Sequence, residues 1–249
     1  MMNWDFSNKV VLVTGASRGI GQGIAEAFLH AGAVVLATAT SEAPTAWMAD
    51  RMAAGEPLHY IQADFSAPGW QDALMAAIER LGGVDVCINN AGINKVADVR
   101  EVDPDDYRRI LEVNLVAPAL LTGLVAPLMI RRGGGRIVNI SSIFGIGSRA
   151  GRISYSSSKA GLLGQTRAAA LDLAPHGVLV NAVAPGFVRT ELTERVLGEQ
   201  GMADAASRLP MRRLAEVADI VPAVLFLASA QNSYITGQVL AVDGGYLAE

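Results

Sequence analysis

The sequence predicts an α/β fold, a single domain built on a doubly wound parallel sheet of about seven strands. Two observations carry this. Short β-branched or apolar runs alternate with longer helical patterns almost from end to end, and strands separated by helices of that length pair in parallel through right-handed crossovers. No stretch rich in proline, serine or charge divides the 249 residues, and no internal repeat appears, so one domain is the economical reading.

The first strand is read over Lys9–Thr14, followed by a glycine-rich turn and a helix to about His30. Further strands are expected at Ala33–Ala37, Leu58–Ala63, Val84–Asn89, Arg136–Ser141, Val178–Val183 and Gln238–Val242. Consecutive Val and Ile in these runs predict burial on both faces. Helices are expected around Thr45–Ala54, after Pro68, from Asp103-Pro104 to Arg131, over Tyr155–Ala174 and over Glu216–Ala228. Pro118 and Pro127 should kink the long helix or fray its end. Beyond Thr190 short helices make an excursion, and residues 187–211 read as a mobile lid over the substrate.

Composition narrows the function. Half of the residues are hydrophobic (51%), 18% are charged and the net charge is −4, so the chain can bury a core and lacks the basic stripe of a nucleic-acid binder. The single cysteine, Cys87, excludes an internal disulfide, and no Cys/His spacing suggests a metal site. Residues 1–8 carry no signal-peptide pattern and no apolar stretch reads as a membrane span. A cytoplasmic protein acting on a small molecule, with neither nucleic acid nor membrane as partner, is the expectation.

The turn Thr14-Gly15-Ala16-Ser17-Arg18-Gly19-Ile20-Gly21 joins the first strand to the first helix. Glycines there permit positive φ and close approach of a pyrophosphate, and the helix N-terminus offers N–H groups and partial positive charge. The spacing is Gly-x-x-x-Gly-x-Gly rather than Gly-x-Gly-x-x-Gly. By itself such a turn is equally a tight strand-to-helix connection.

Several separated motifs agree in type, order and spacing with one family. They are the Thr14–Gly21 turn, Asn89-Asn90-Ala91-Gly92, Tyr155-Ser-Ser-Ser-Lys159, Pro185-Gly186 and Asp243-Gly244-Gly245. Over essentially its whole length the chain resembles the short-chain dehydrogenase/reductases. The resemblance implies a single-domain Rossmann fold and hydride transfer between a nicotinamide cofactor and a carbonyl or alcohol. It also implies a catalytic tetrad of Asn114, Ser142, Tyr155 and Lys159, with Lys159 holding the nicotinamide ribose, Ser142 polarising the substrate oxygen and Asn114 binding a relay water. Cofactor contacts are expected from Gly15, Ser17, Arg18, Gly19, Ile20, Gly21, Asn90, Ala91, Gly92, Pro185, Gly186, Val188 and Thr190. Asp64, with Phe65 beside it, is expected at the adenine, although Asp64 reads equally as a turn residue.

The end of the second strand reads Thr38-Ala39-Thr40-Ser41, without an acid to repel a 2′-phosphate. Arg18 and Thr40 can serve that phosphate, so NADP(H) is expected over NAD(H). Tyr155 and Lys159, four apart, share a helix face. A phenol with a reference pKa of about 10 is a poor base near neutrality. Lowering it by two to three units asks about 3–4 kcal/mol, which the Lys159 ammonium and an oxidised nicotinamide are expected to supply.

Substrate-facing positions are expected at Asn94, 143–148, 151–154 and 187–211. Ile143, Phe144, Ile146 and Phe187 form an apolar wall there, and no arginine clamp for a small acid stands out. The turn and the run Thr38–Glu42 resemble bacterial 3-oxoacyl-(acyl carrier protein) reductases. However, Ile-Asn-Lys-Val-Ala-Asp follows Gly92, and Gly133 and His176 stand where that subgroup often has basic residues. A sugar or polyol dehydrogenase is the alternative, and a silent cofactor-binding protein a distant third. The family implies a homotetramer, for which Ala117, Leu121, Leu162 and Ala169 are either interface or core.

Overall fold

The computed structural model describes residues 4–248. Seven parallel strands form one sheet in the order β3-β2-β1-β4-β5-β6-β7. They are β1 (Val10–Val13), β2 (Val34–Ala39), β3 (Leu58–Gln62), β4 (Val86–Asn89), β5 (Gly135–Ile140), β6 (Val178–Pro185) and β7 (Val239–Val242). The order reverses between β1 and β4, so a crevice opens where the chain leaves those two strands in opposite directions. Central strands are buried on both faces, while the edge strands β3 and β7 are only partly covered.

Because successive side chains on a strand point to opposite faces, each central strand feeds two cores. Val11 and Val13 meet Ile24 and Phe28 of α1 (Gly19–His30) and Ile220 and Val224 of α9 (Val217–Ala228). Leu12 and Cys87 face the other layer. It contains Leu74 and Ile78 of α3 (Trp70–Arg80), and Leu121, Val125 and Met129 of α5 (Ala117–Arg131). On the β2 side, α2 (Ala46–Ala53) buries Met48.

The long helix from Asp103 is interrupted as its prolines demand, but not by a kink at Pro118. Asp103 caps α4 (Pro104–Leu111), accepting from the N–H groups of Asp105 and Asp106. A π turn at Glu112–Val116 follows, and then α5 with Pro118 in its first turn. Pro118 has no N–H to return to the carbonyl of Asn114, which is left unbonded by the helix, and the turn before it widens, with Ala117 N donating to the Glu112 carbonyl. Pro127 is carried inside α5. The stretch Pro104–Arg131 is long and apolar enough, by length and composition alone, to cross a membrane, a test that a core helix also passes. Half of its most apolar window is buried against the rest of the fold.

Three of the residues weighed for an interface are core instead: Ala117, Leu121 and Leu162 are buried within one chain, and Ala169 is partly buried against the same core. The large apolar residues these helices leave outside include Val116, Leu120, Ile130, Ile153 and, 78% exposed, Leu171. The short α6 (Ile143–Ile146), which follows β5, was not foreseen. The excursion after Thr190 is made of short helices as read: α8 (Glu191–Arg208) is two helical pieces joined across a break at Gly198, where φ is 65°.

Cys87, at the centre of β4, has no exposed surface, and burial pushes its thiol up to about 12. The thiolate is the reactive form. Native protein at pH 8 should therefore leave a disulfide reagent unreacted for hours, and one thiol per chain should appear on unfolding. Stoichiometric reaction of the native protein within minutes would contradict this packing.

Candidate active site

A cleft of about 460 Å³ lies at the carboxyl ends of the strands, over the β1/β4 switch point. Gly15 sits there with φ at 64°, and a Cβ on it would lie 2.7 Å from the Ala91 Cα. Only glycine fits, because both the backbone angle and the space exclude a side chain. The turn is fixed from three sides. Thr14 Oγ1 accepts from the N–H groups of Asn90 and Ala91 at 3.0 Å each. Asn90 Nδ2 donates to the carbonyls of Thr14 (2.9 Å) and Gly15 (3.0 Å). Trp47 Nε1 donates to the Ser17 carbonyl at 3.2 Å, a support that sequence reasoning missed. No motif spacing links Trp47 to the turn; only the return of α2 beneath it does.

Beyond the turn, α1 begins at Gly19, after Arg18 in extended conformation with no side-chain cap. Its first N–H groups therefore lack intrahelical acceptors at the cleft wall, as an anion site requires. The cleft is lined by Arg18, Arg109, Arg195 and Lys159 against Asp64 and Glu191. A glycine cradle that a Cβ would fill, a helix N-terminus and excess positive charge fit a dinucleotide.

The other expected cofactor positions also line this cleft: Ser17, Gly19, Ile20, Gly21, Thr40, Phe65, Ala91, Gly92, Pro185, Gly186, Val188 and Thr190. Two side chains carry a structural duty, that of Asn90 not foreseen and that of Asp64 the turn role weighed from the sequence. The amide of Asn90 is spent on the turn, as above, and Asp64 Oδ1 accepts from Ser66 N (2.9 Å) and Oγ (2.7 Å). Those bonds to Ser66 hold the Asp64 carboxyl below its usual range. Arg18 lies 3.5 Å from Glu191, an acid on α8. An acid does therefore face the predicted phosphate site, though from the lid side rather than from β2.

At the far end of the cleft stand the predicted tetrad residues. Ser142 ends β5 and caps α6, its Oγ accepting from Phe144 N at 3.1 Å and keeping its own proton to donate. Tyr155 and Lys159 rise from α7 (Ile153–Leu173), which Asn139 ties to the sheet. Asn89 Nδ2 donates to Asn139 Oδ1, and Asn139 Nδ2 donates to Thr166 Oγ1, both at 2.8 Å. Asn114 lies next to them, but its amide is fully engaged. Oδ1 accepts from Ile93 N (2.8 Å), and Nδ2 donates to Ile93 O (2.9 Å) and Ser158 Oγ (3.0 Å). Its side chain builds the wall and leaves only its backbone carbonyl for a water.

The electrostatics depart from expectation. Lys159 is 4% exposed, and its Nζ donates to the Ile140 carbonyl at 2.8 Å and lies 5.7 Å from the Tyr155 ring centroid. Burial lowers Lys159 to about 8. Tyr155 is not depressed either: burial of the phenol raises it, opposed by the Ser142 hydroxyl and by a guanidinium, that of Arg152. Arg152, the N-cap of α7, is 7% exposed and lies over the Phe144 ring at 5.6 Å. It falls within the segment 151–154 read from the sequence as substrate-facing, although no arginine clamp stood out there. Of the apolar wall, Phe144 packs edge-on against Phe187, and Phe187 against Tyr246. Ile143 is core and Ile146 is exposed.

The fold and the cleft define a nicotinamide-type oxidoreductase. Comparison with known proteins makes this specific: a family model described as enoyl-(acyl carrier protein) reductase matches residues 15–247. The chain is 39% identical over 242 residues to the 3-oxoacyl-[acyl-carrier-protein] reductase of Vibrio cholerae, covering 97% of this chain and 98% of that one. Among solved structures, a short-chain type dehydrogenase/reductase from Mycobacterium marinum superposes with a TM-score of 0.93 at 33% identity, over 99% of this chain and 98% of that one. A gluconate 5-dehydrogenase from Burkholderia cenocepacia, in complex with NADP and tartrate, gives a TM-score of 0.91 at 30% identity over the same shares. The chain belongs to the short-chain dehydrogenase/reductase family and is an oxidoreductase acting on C=O and CH–OH groups.

The buried Lys159 gives a pH signature. Its ordinary value is 10.5 and its folded value about 8. Between these the unfolded chain holds a proton that the folded chain has released, so stability rises with pH over that window. Below pH 8 the buried charge costs about 3 kcal/mol. Lys159→Met should therefore be more stable than its parent at pH 7, in urea unfolding without nucleotide. The difference should narrow by about 2 kcal/mol at pH 10. A difference unaffected by pH would contradict the burial of a charged amine.

Proposed function

We propose that the protein is an NADP(H)-dependent reductase of ketones, reversible to secondary-alcohol oxidation, with Tyr155 as the proton donor and acceptor. The observation that carries the reading is the convergence of Ser142, Tyr155 and Lys159 at one end of a cleft. The other end of that cleft is the Gly15–Gly21 turn. The nicotinamide, when bound, supplies or takes the hydride. The Ser142 hydroxyl donates to the substrate oxygen and polarises it. The Tyr155 phenol gives its proton to that oxygen in reduction and recovers it in oxidation. Its raised value in the free protein keeps it protonated at neutral pH, which suits an acid in the reductive direction. Lys159 binds the ribose hydroxyls, and the Asn114 carbonyl holds a water that replaces the proton.

Two substrate classes have support. The Vibrio cholerae relative acts on 3-oxoacyl groups and the Burkholderia cenocepacia neighbour on gluconate. Residues 187–211 act as the substrate lid, with Gly198 as a break in α8. Self-association as a homotetramer is supported by the exposed Val116, Leu120 and Leu171 of the helices and Leu240 of β7; small-molecule turnover needs no other partner.

The preference for NADP(H) rests on Arg18 and Thr40 at the cleft rim and on the absence of an acid at the end of β2. With a responsive ketone, NADPH should be used over NADH. Arg18→Ala should raise KM for NADPH at least tenfold, the loss of about 1.5–3 kcal/mol for a charged hydrogen bond. It should change KM for NADH little. Equal losses for the two cofactors would contradict the assignment.

A further inference from the structure

Seven arginines of this protein pair with acids, among them Arg51 with Glu56, Arg132 with Asp85 and Arg213 with Asp219. The arginines without an acid are otherwise exposed to solvent, save Arg136, which is half-buried and donates to the carbonyls of Gly135 and Asn232 with only its Nε unpaired. Arg152 belongs to neither group. It is buried to 93% of its surface, yet among the described residues no acid lies within ion-pair distance and no acceptor takes its N–H groups. The charged or titratable groups that bear on it are Arg149, which opposes its charge, and the Tyr155 phenol. The ring of Phe144 backs it at 5.6 Å. A buried guanidinium without an anion is costly, and cation–π contact with one ring offsets only part of that cost.

Its placement explains what it waits for. Arg152 and Tyr155 are three apart at the start of α7, which sets their side chains on neighbouring positions of one helix face. The segment at 94–97 runs beside it, with Ala97 N donating to Gly151 O at 3.1 Å and Ala97 bridging to Arg152. On that segment Asn94 lines the cleft, and its Oδ1 is buried without a donor. Asn94 thus offers an unused acceptor within the cleft, and Arg152, just outside that lining, an unneutralised cation beside the proposed acid/base.

We propose that Arg152 is the anchor for a carboxylate of the substrate, so that the preferred substrate is an oxo acid whose free carboxylate lies a few bonds from the reacting carbonyl. A guanidinium takes a carboxylate through two parallel N–H···O bonds, and so fixes the orientation of the carbonyl as well as its affinity. Asn94 Oδ1 accepts from a substrate hydroxyl, which favours an oxidised sugar acid over an unsubstituted oxo acid. A neutral thioester leaves Arg152 unpaired. The inference rests on the ketone-reductase reading and chooses between its two substrate classes.

Two measurements separate failure of the inference from failure of that reading. In the first, kcat/KM with NADPH is compared for 5-oxogluconate and 3-oxobutanoate and for their neutral counterparts, fructose and ethyl 3-oxobutanoate. The acids should be preferred at least tenfold. Arg152→Gln should lower the acid-to-neutral ratio at least thirtyfold, mainly through KM for the acid, and Arg152→Lys should restore part of it. In the second, malonate, which carries carboxylates but no ketone, is titrated into the protein saturated with NADPH, so that the phosphate-binding cations are occupied. The melting temperature should rise in the parent and not in Arg152→Gln. A malonate shift lost in Arg152→Gln alongside no turnover of any ketone would support the anion site while refuting the reductase reading. A ratio unchanged by Arg152→Gln, or a malonate shift equal in the two proteins, would overturn the proposal.

Discussion

Gly15 and Ala91 approach so closely that no side chain can stand between them, and the rest of the site depends on that contact. It lies where β1 and β4 diverge at the reversal of strand order, so it sets both the depth of the crevice and the direction of the turn that enters it. The polar groups around it hold the approach. Thr14 and Asn90 direct their side chains at each other's backbone across the two strands, and Thr38 Oγ1 accepts from Gly15 N at 3.3 Å. With these bonds made, α1 presents unpaired N–H groups at one wall and β4 delivers Ala91 and Gly92 to the other. A cofactor placed against the turn then lies with its far end towards Lys159.

At that far end the protein accumulates charge it cannot solvate. Lys159 and Arg152 are both buried cations, the first held by one carbonyl and the second by one aromatic face. The phenol between them is held neutral by burial. Such a site is unfavourable when empty and gains from anything that brings negative charge or ribose hydroxyls into it. Cost in the unliganded state thus becomes affinity and orientation in the complex. The same logic applies at the cleft mouth, where Arg18 leans on Glu191 of the lid helix α8. On the proposed NADP(H) reading, a phosphate at Arg18 would compete with that contact and so couple cofactor binding to the position of α8.

The fold was readable because its signals are redundant. Most strands of the sheet are predominantly apolar runs, and each central run supplies two cores. The tetrad and the glycine turn were readable as motifs, since their spacing follows strand ends and helix turns. What escaped depends on contacts distant in sequence. Trp47 under the turn, the Asn89–Asn139–Thr166 chain that seats α7 and the engaged amide of Asn114 have no local pattern. Arg152 fell within the segment 151–154 read as substrate-facing, but its burial was not legible, because it depends on packing against Phe144 and the 94–97 segment. The expected depression of Tyr155 by Lys159 does not appear: burial raises the phenol, and the ammonium donates to the Ile140 carbonyl.

The central claim is that one atom, the Tyr155 phenol oxygen, carries the proton while the rest of the cleft binds and orients. Tyr155→Phe removes that atom alone and leaves the ring that packs beside Lys159. NADPH binding, followed by cofactor fluorescence, and ketone reduction should be measured on the same preparation of this variant and of the parent. The account predicts NADPH binding within about threefold of the parent, a difference of about 0.7 kcal/mol, with reduction lowered by at least a thousandfold, about 4 kcal/mol of barrier. Reduction within tenfold of the parent, with NADPH still bound, would contradict it and place the proton on another group.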